Sequence, residues 1–312
     1  MTPPPDIAVA ANVFDAGEQR AEAQTPFRRF LADFTESKIA VVAFFVFVAV
    51  LLCAMFAPWI SPTDPYDLSK VDIIDNRLPP GSEGIDGLTY WLGTDGAGRD
   101  MLSAILYGLR TSLFVGVTAG GIALTIGGVL GLVAAYFGGF IDTLIMRLVD
   151  FKLGFPSILI AMILLAVLGK GVDKIIISLV VVQWAYYTRT VRASALVERN
   201  REYMEAAQCL ALGHFSVVFR HLLPNCLPPL IVVGTVQIAS AIALEATLSF
   251  LGLGLPTTEP SLGLLIANGF DYMLSGRYWI SVFPGIALLI TIISINLICD
   301  HLRDVLNPRM QK

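Results

Sequence analysis

Hydrophobic positions in this 312-residue chain fall into long runs instead of alternating singles. Six runs, near 39–60, 111–137, 153–169, 175–193, 226–250 and 279–299, read as bilayer-crossing helices, since a span takes about 20 helical residues. The third and fourth are short and are parted only by Gly169-Lys170-Gly171-Val172-Asp173-Lys174. The pattern predicts an all-α membrane protein: a polar segment 1–38, a first span 39–60, an outer loop 61–110, a core 111–299 interrupted by a polar insert at 194–225, and a tail 300–312. Before the first span, Phe27, Phe30, Leu31 and Phe34 stand at i, i+3, i+4 and i+7. That spacing suits a short amphipathic helix lying at the membrane surface.

The insert breaks the apolar pattern. Between Glu202 and Asn225, Tyr203, Ala206, Ala207 and Leu210 fall at helical spacing, and Phe215, Val218, Phe219 and Leu222 repeat it. Each set makes one apolar stripe on a helix. Gly213 lies between them as a turn, and Pro224 is expected to stop the second helix near the membrane. Glu202 and Glu205 stand early in the first helix, where carboxylates suit its positive end. The small face of Ala206 and Ala207 fits two readings: packing on the chain's own membrane domain, or insertion into a second protein's groove.

Composition narrows the class. Residues are 55% hydrophobic and 15% charged, with mean hydropathy +0.72, too apolar for an ordinary soluble domain. The net charge of −4 gives no support to nucleic-acid binding. Placing the N-terminus inside puts 14 of the 21 Lys and Arg on the inner side and 7 on the outer, so both termini read as cytoplasmic. The polar start is too long and acidic for a secretory leader, and the first span reads as a retained anchor. Cys53, Cys209, Cys226 and Cys299 form no C-x-x-C pair, so neither a disulfide framework nor a zinc site is indicated.

Candidate chemistry is sparse. Gly93 to Asp100 is glycine-rich, but it lies in the outer loop and follows no strand pattern. It reads as a tight turn with Thr94 or Asp95 capping the next helix. No G-x-x-x-x-G-K-[ST] pattern occurs, so the chain is read as having no ATP site of its own. No nucleophile–His–acid set is spaced for catalysis, and His214, His221 and His301 lack metal-ligand spacing. No cofactor or metal is expected. Gly116-x-x-x-Gly120 and Gly127-x-x-x-Gly131 allow a second helix to approach closely, within the chain or from a partner. Glu245 is the one carboxylate inside a span; it either lines a water-filled path through the membrane or satisfies nearby donors. The arginines of 189–201 form a membrane-lipid patch or support the insert.

Several stretches carry a family resemblance. Glu205-Ala206-Ala207 followed by Leu222-Leu223-Pro224 is similar to the EAA loop of bacterial ABC-importer permeases, although Ala211 stands where that loop usually has glycine. Leu92 to Asp100, Gly138-Gly139, Leu248-Ser249-Phe250-Leu251-Gly252-Leu253-Gly254 and the tail from Asp300 to Arg309 resemble the C-type subunit of the dipeptide/oligopeptide/nickel group. The resemblance implies a type I importer fold of six transmembrane helices in the bacterial inner membrane, and a permease for di- or oligopeptides. Nickel, glutathione-like or opine substrates fit the same family, and a stand-alone secondary carrier is the reading from another class. It implies four kinds of partner: a B-type permease as heterodimer, two ATPase subunits that bind ATP and magnesium, an extracytoplasmic binding protein, and lipid. It also implies that Glu202, Tyr203, Glu205, Ala206, Ala207, Leu210, Gly213, Phe215 and Pro224 make the ATPase-coupling surface.

Overall fold

The computed structural model describes residues 26–67, 73–256 and 258–306. Helix α1 (Pro26–Glu36) is followed by α2 (Lys38–Met55), which starts where the Ser37 hydroxyl accepts the Ala40 amide at 3.3 Å. After a single turn, α3 (Ala57–Ile60), the outer loop holds one small hairpin, β1 (Ser82–Glu83) paired with β2 (Thr89–Tyr90). Then come α4 (Met101–Phe137), α5 (Gly139–Leu153), α6 (Ser157–Leu168) and α7 (Val172–Arg199). The insert supplies α8 (Glu202–Cys209) and the start of α9 (His214–Phe250), and α10 (Leu262–Phe270) and α11 (Trp279–Val305) complete the chain.

Among the described residues, four helices, α2, α4, α9 and α11, are long and apolar enough to cross a membrane, and α5 with α6 makes a fifth if the pair is one span. That pair is bent by 88°. The break falls at Gly154-Phe155-Pro156, where proline removes an amide donor and disfavours a helical residue before it. The expected third span, 153–169, is therefore broken: it holds the 12-residue α6, which reaches the length of a crossing only together with α5. The expected fourth span, 175–193, lies in the 28-residue α7, which is long enough to cross but, with Arg189 and Arg192 in its second half, is not apolar enough to join those four.

Three other boundaries differ from the sequence reading. Helix α4 begins at Met101, inside the expected outer loop, because the capping carboxylate is Asp100 and neither Thr94 nor Asp95: Asp100 Oδ2 accepts the Ser103 amide at 2.8 Å. Pro224 does not end a helix; α9 runs through it. Helix α11 continues to Val305, into the expected tail. Phe34 of α1 packs against Phe44 and His301, while the side chains of Phe27, Phe30 and Leu31 lie outside the described residues.

Close helix packing is built on glycine. A Cβ on Gly127 would lie 2.4 Å from the Trp184 carbonyl, and one on Gly131 would lie 2.7 Å from that of Thr188, so α4 seats directly on α7. Gly116 and Gly120 meet Ile242 and Ile238 of α9 in the same way. Both small-residue motifs are thus occupied within the chain. Gly263 of α10 lies against the Ala246 backbone, which crosses α10 tightly over α9.

The apolar interior falls into clusters at different heights. One, around Met101, Leu109, Ile242, Leu262 and Ile280, joins α4, α9, α10 and α11 toward the outer-loop end. Another, around Leu132, Tyr187, Val191, Met204, Val218 and Leu222, lies at the opposite end and includes the insert.

Candidate functional site: the 202–225 insert

The insert is fastened to the ends of the long helices. The Arg199 guanidinium donates to the Ala135 carbonyl at 2.9 Å, and the Tyr136 hydroxyl lies 2.6 Å from His214 Nδ1. Tyr203 donates to Glu198 Oε2 at 2.9 Å. Burial, with that carboxylate beside it, pushes the Tyr203 phenol up to about 12, so it remains a donor at neutral pH. Met204 and Ala207 are buried, at 0% and 4% exposure, in the cluster formed with Val217, Val218, Leu222 and Cys226.

This packing divides the stripes expected from spacing. On α8, Met204 and Ala207 face the body, while Glu202, Glu205 and Ala206 face outward, as does Leu210 just beyond the helix. Ala206 and Ala207 therefore stand on different faces. In the second stripe, Val218 and Leu222 are buried and Phe215 and Phe219 are exposed. Their rings lie 4.6 Å apart. The division follows a π-helical stretch, Val217–Leu222, in which the Leu223 amide donates to Val218, five residues back. The wide turn sits just before Pro224, whose ring would press on the carbonyl four residues earlier in a regular α-helix.

The turn itself is made at Ala211, with φ 51°, and not at Gly213, with φ −62°. Ala211 thus holds a left-handed conformation that glycine adopts without steric cost. The result is a knuckle whose root is fixed and whose tip is apolar. Leu210 is 73% and Phe215 76% exposed, beside the outward carboxylates Glu202 and Glu205. Such a surface has the chemistry of a docking element: large apolar side chains to bury and charges to set register.

Glu245 is fully buried in α9. The Ser112 hydroxyl of α4 donates to it at 2.8 Å and that of Ser249 at 2.7 Å. Ser261, which caps α10, is the third neighbour. The carboxylate therefore clasps three segments. Nothing in spacing revealed its serines, because Ser112 is 133 residues away in sequence.

The glycine-rich stretch Gly93–Asp100 is closed on itself. Asp95 Oδ1 accepts the amides of Ala97 and Arg99 at 2.8 and 2.9 Å, and its Oδ2 accepts Arg99 Nε at 2.7 Å. Donors that a phosphate cradle would present are thus engaged internally. Nearby, the Tyr90 phenol donates to Asp75 and is pushed up to about 12, chiefly by burial and then by that carboxylate.

Residues 127–312 match the family model described as binding-protein-dependent transport system inner membrane component. The chain belongs to this family. Residues 25–80 match a second model, the N-terminal TM domain of oligopeptide transport permease C. A putative peptide transport system permease protein of Brucella suis is 42% identical over 262 residues, covering 84% of this chain and 85% of the relative. The di/tripeptide transport system permease protein DppC of Pseudomonas aeruginosa is 36% identical, covering 92% and 93%. In fold, the chain is similar to one from the MetNI methionine ABC transporter in an inward-facing conformation. The TM-score is 0.54 at 19% identity, covering 66% of this chain and 98% of that one. The protein is a multi-pass membrane permease subunit of an ABC importer with the type I fold, and members of this kind work with ATPase and other components.

Proposed function

We propose that this subunit imports short peptides across the bacterial inner membrane, with both termini in the cytoplasm. In this reading an extracytoplasmic binding protein delivers the peptide. This chain and a B-type permease form the path as a heterodimer, and two ATPase subunits bind ATP and magnesium and power the cycle. The peptide assignment is supported by the names of the relatives at 36–42% identity over most of the chain. The 202–225 knuckle is the ATPase-coupling element, and one observation carries this: its root is packed into the helix ends while Leu210 and Phe215 stand exposed at its tip. A lever must be stiff at the root and must grip differently in the two states of its motor.

The test is reconstitution in proteoliposomes with binding protein, ATP and radiolabelled alanyl-alanine. The peptide should accumulate only when ATP is present. Uptake without ATP or without the ATPase subunits would refute the importer reading, and uptake of no peptide would refute the substrate.

A further inference from the structure

At the end of the molecule opposite the knuckle, the loop after α3, the start of α4, the start of α7 and the loop after α9 border an open cavity of about 460 Å3. It is lined by Tyr66, Tyr107, Arg110, Thr111, Phe114 and Glu259. Small-molecule sites typically run from about 300 to 1,000 Å3. The aromatic wall is a defined structure. The Tyr66 and Tyr107 rings meet edge to face with centroids 5.3 Å apart, and the Tyr66 hydroxyl lies 3.2 Å from Thr111 Oγ1.

The two charges in this cavity are not used on each other. Glu259 Oε2 is shielded from solvent and has no hydrogen-bond partner among the described residues. Its loop is nevertheless held, since the Glu259 amide donates to the Pro256 carbonyl at 3.0 Å. Arg110 is exposed and takes part in none of the ion pairs found among the described residues. A hidden acceptor with no donor is rare in folded proteins, and it calls for a partner from outside. A cation alone would leave Arg110 idle, and an anion alone would leave Glu259 unmatched.

We propose that this cavity is a binding site on the permease itself for zwitterionic short peptides. The peptide ammonium donates to Glu259, its carboxylate accepts from Arg110, and the tyrosine wall with Phe114 takes the side chains. The proposal rests on the peptide reading above. It places a substrate contact at the mouth where a delivered peptide would first leave its carrier.

The experiment uses the purified full importer without its binding protein, and ligand-observed saturation-transfer NMR with three probes: alanyl-alanine, its N-acetyl form and its C-terminal amide. In the wild type, blocking either end should weaken binding by about tenfold, the scale of one charge-assisted hydrogen bond. With Glu259→Gln, acetylation should no longer weaken binding while amidation still does; with Arg110→Gln the pattern should reverse. No binding of alanyl-alanine, equal binding of the three probes, or a variant that weakens all three alike would overturn the site. The last outcome would be expected if the cavity received a loop of the binding protein or an edge of the second permease. Alanyl-alanine uptake by wild-type proteoliposomes separates the two failures. Uptake with a flat probe series removes this site alone, whereas no uptake of any peptide removes the substrate reading and the site with it.

Discussion

Ala211 stands in a left-handed backbone conformation, φ 51°, at the turn of the knuckle. A residue with a Cβ gives up about 1–2 kcal/mol there relative to its relaxed state. Ala211→Gly should therefore stabilise the purified importer by up to about 1 kcal/mol after the extra chain entropy of glycine is set against the relief, seen as a higher thermal midpoint. Gly213→Ala should be close to neutral, since its φ is −62° and nothing lies within 4 Å of an added Cβ. The sequence marked both positions, but only backbone geometry decided which one turns the chain. Glu245 makes the same point. Its place in a span was legible, whereas its serine clasp was not, because hydroxyls on separate helices meet only after folding. Glu245→Leu strands the hydroxyls of Ser112 and Ser249, at about 1–3 kcal/mol each, and should sharply lower the yield of assembled complex. Glu245→Gln keeps an acceptor and should preserve assembly. If uptake by the Gln variant falls at unchanged yield, the carboxylate does more than clasp.

At the scale of helices, contact depends on which glycines have a backbone opposite them. Gly127→Ala would drive a methyl group to 2.4 Å from the Trp184 carbonyl and force α4 away from α7. It should abolish recovery of folded protein from the membrane. Gly128→Ala meets nothing within 4 Å and gains helix propensity of about 1 kcal/mol; its thermal midpoint in detergent should be unchanged or higher. The two neighbours look alike in sequence, and the helical rotation between them decides the outcome. Element boundaries moved for similar reasons. Asp100 outranked Thr94 and Asp95 as a cap because those two were already held in the loop: Thr94 donates to the Asp75 carbonyl at 2.6 Å, and Asp95 pairs with Arg99 at 2.7 Å. Pro224 failed to end its helix because the chain accommodates it with a π-turn, a local adjustment that hydrophobic spacing does not encode.

For the molecule as a whole, the testable matter is how motion enters at one end. Glu205→Lys and Ala206→Trp alter only the outward face of α8. Each should reduce ATPase co-purification at least tenfold while leaving the yield of this subunit unchanged, measured by quantitative pull-down from detergent extracts. Ala207→Trp is a different experiment. That side chain is 4% exposed inside the cluster with Val217 and Leu222, so overpacking should lower the yield of the subunit itself. Retained ATPase binding in both outward variants would refute the coupling role.

Apolar run length determined that the chain is helical and crosses a membrane, because a bilayer demands long stretches without charge and with every backbone group paired internally. Motif order was enough to indicate the family. Tertiary structure decided which alanine of the EAA stretch faces outward, which glycine carries a neighbouring helix, and which residues close around Glu245. It also brought Arg110 and Glu259 to one cavity without pairing them. Those facts depend on helix rotation and on contacts between residues far apart in sequence, and a one-dimensional pattern of polar and apolar positions does not specify them.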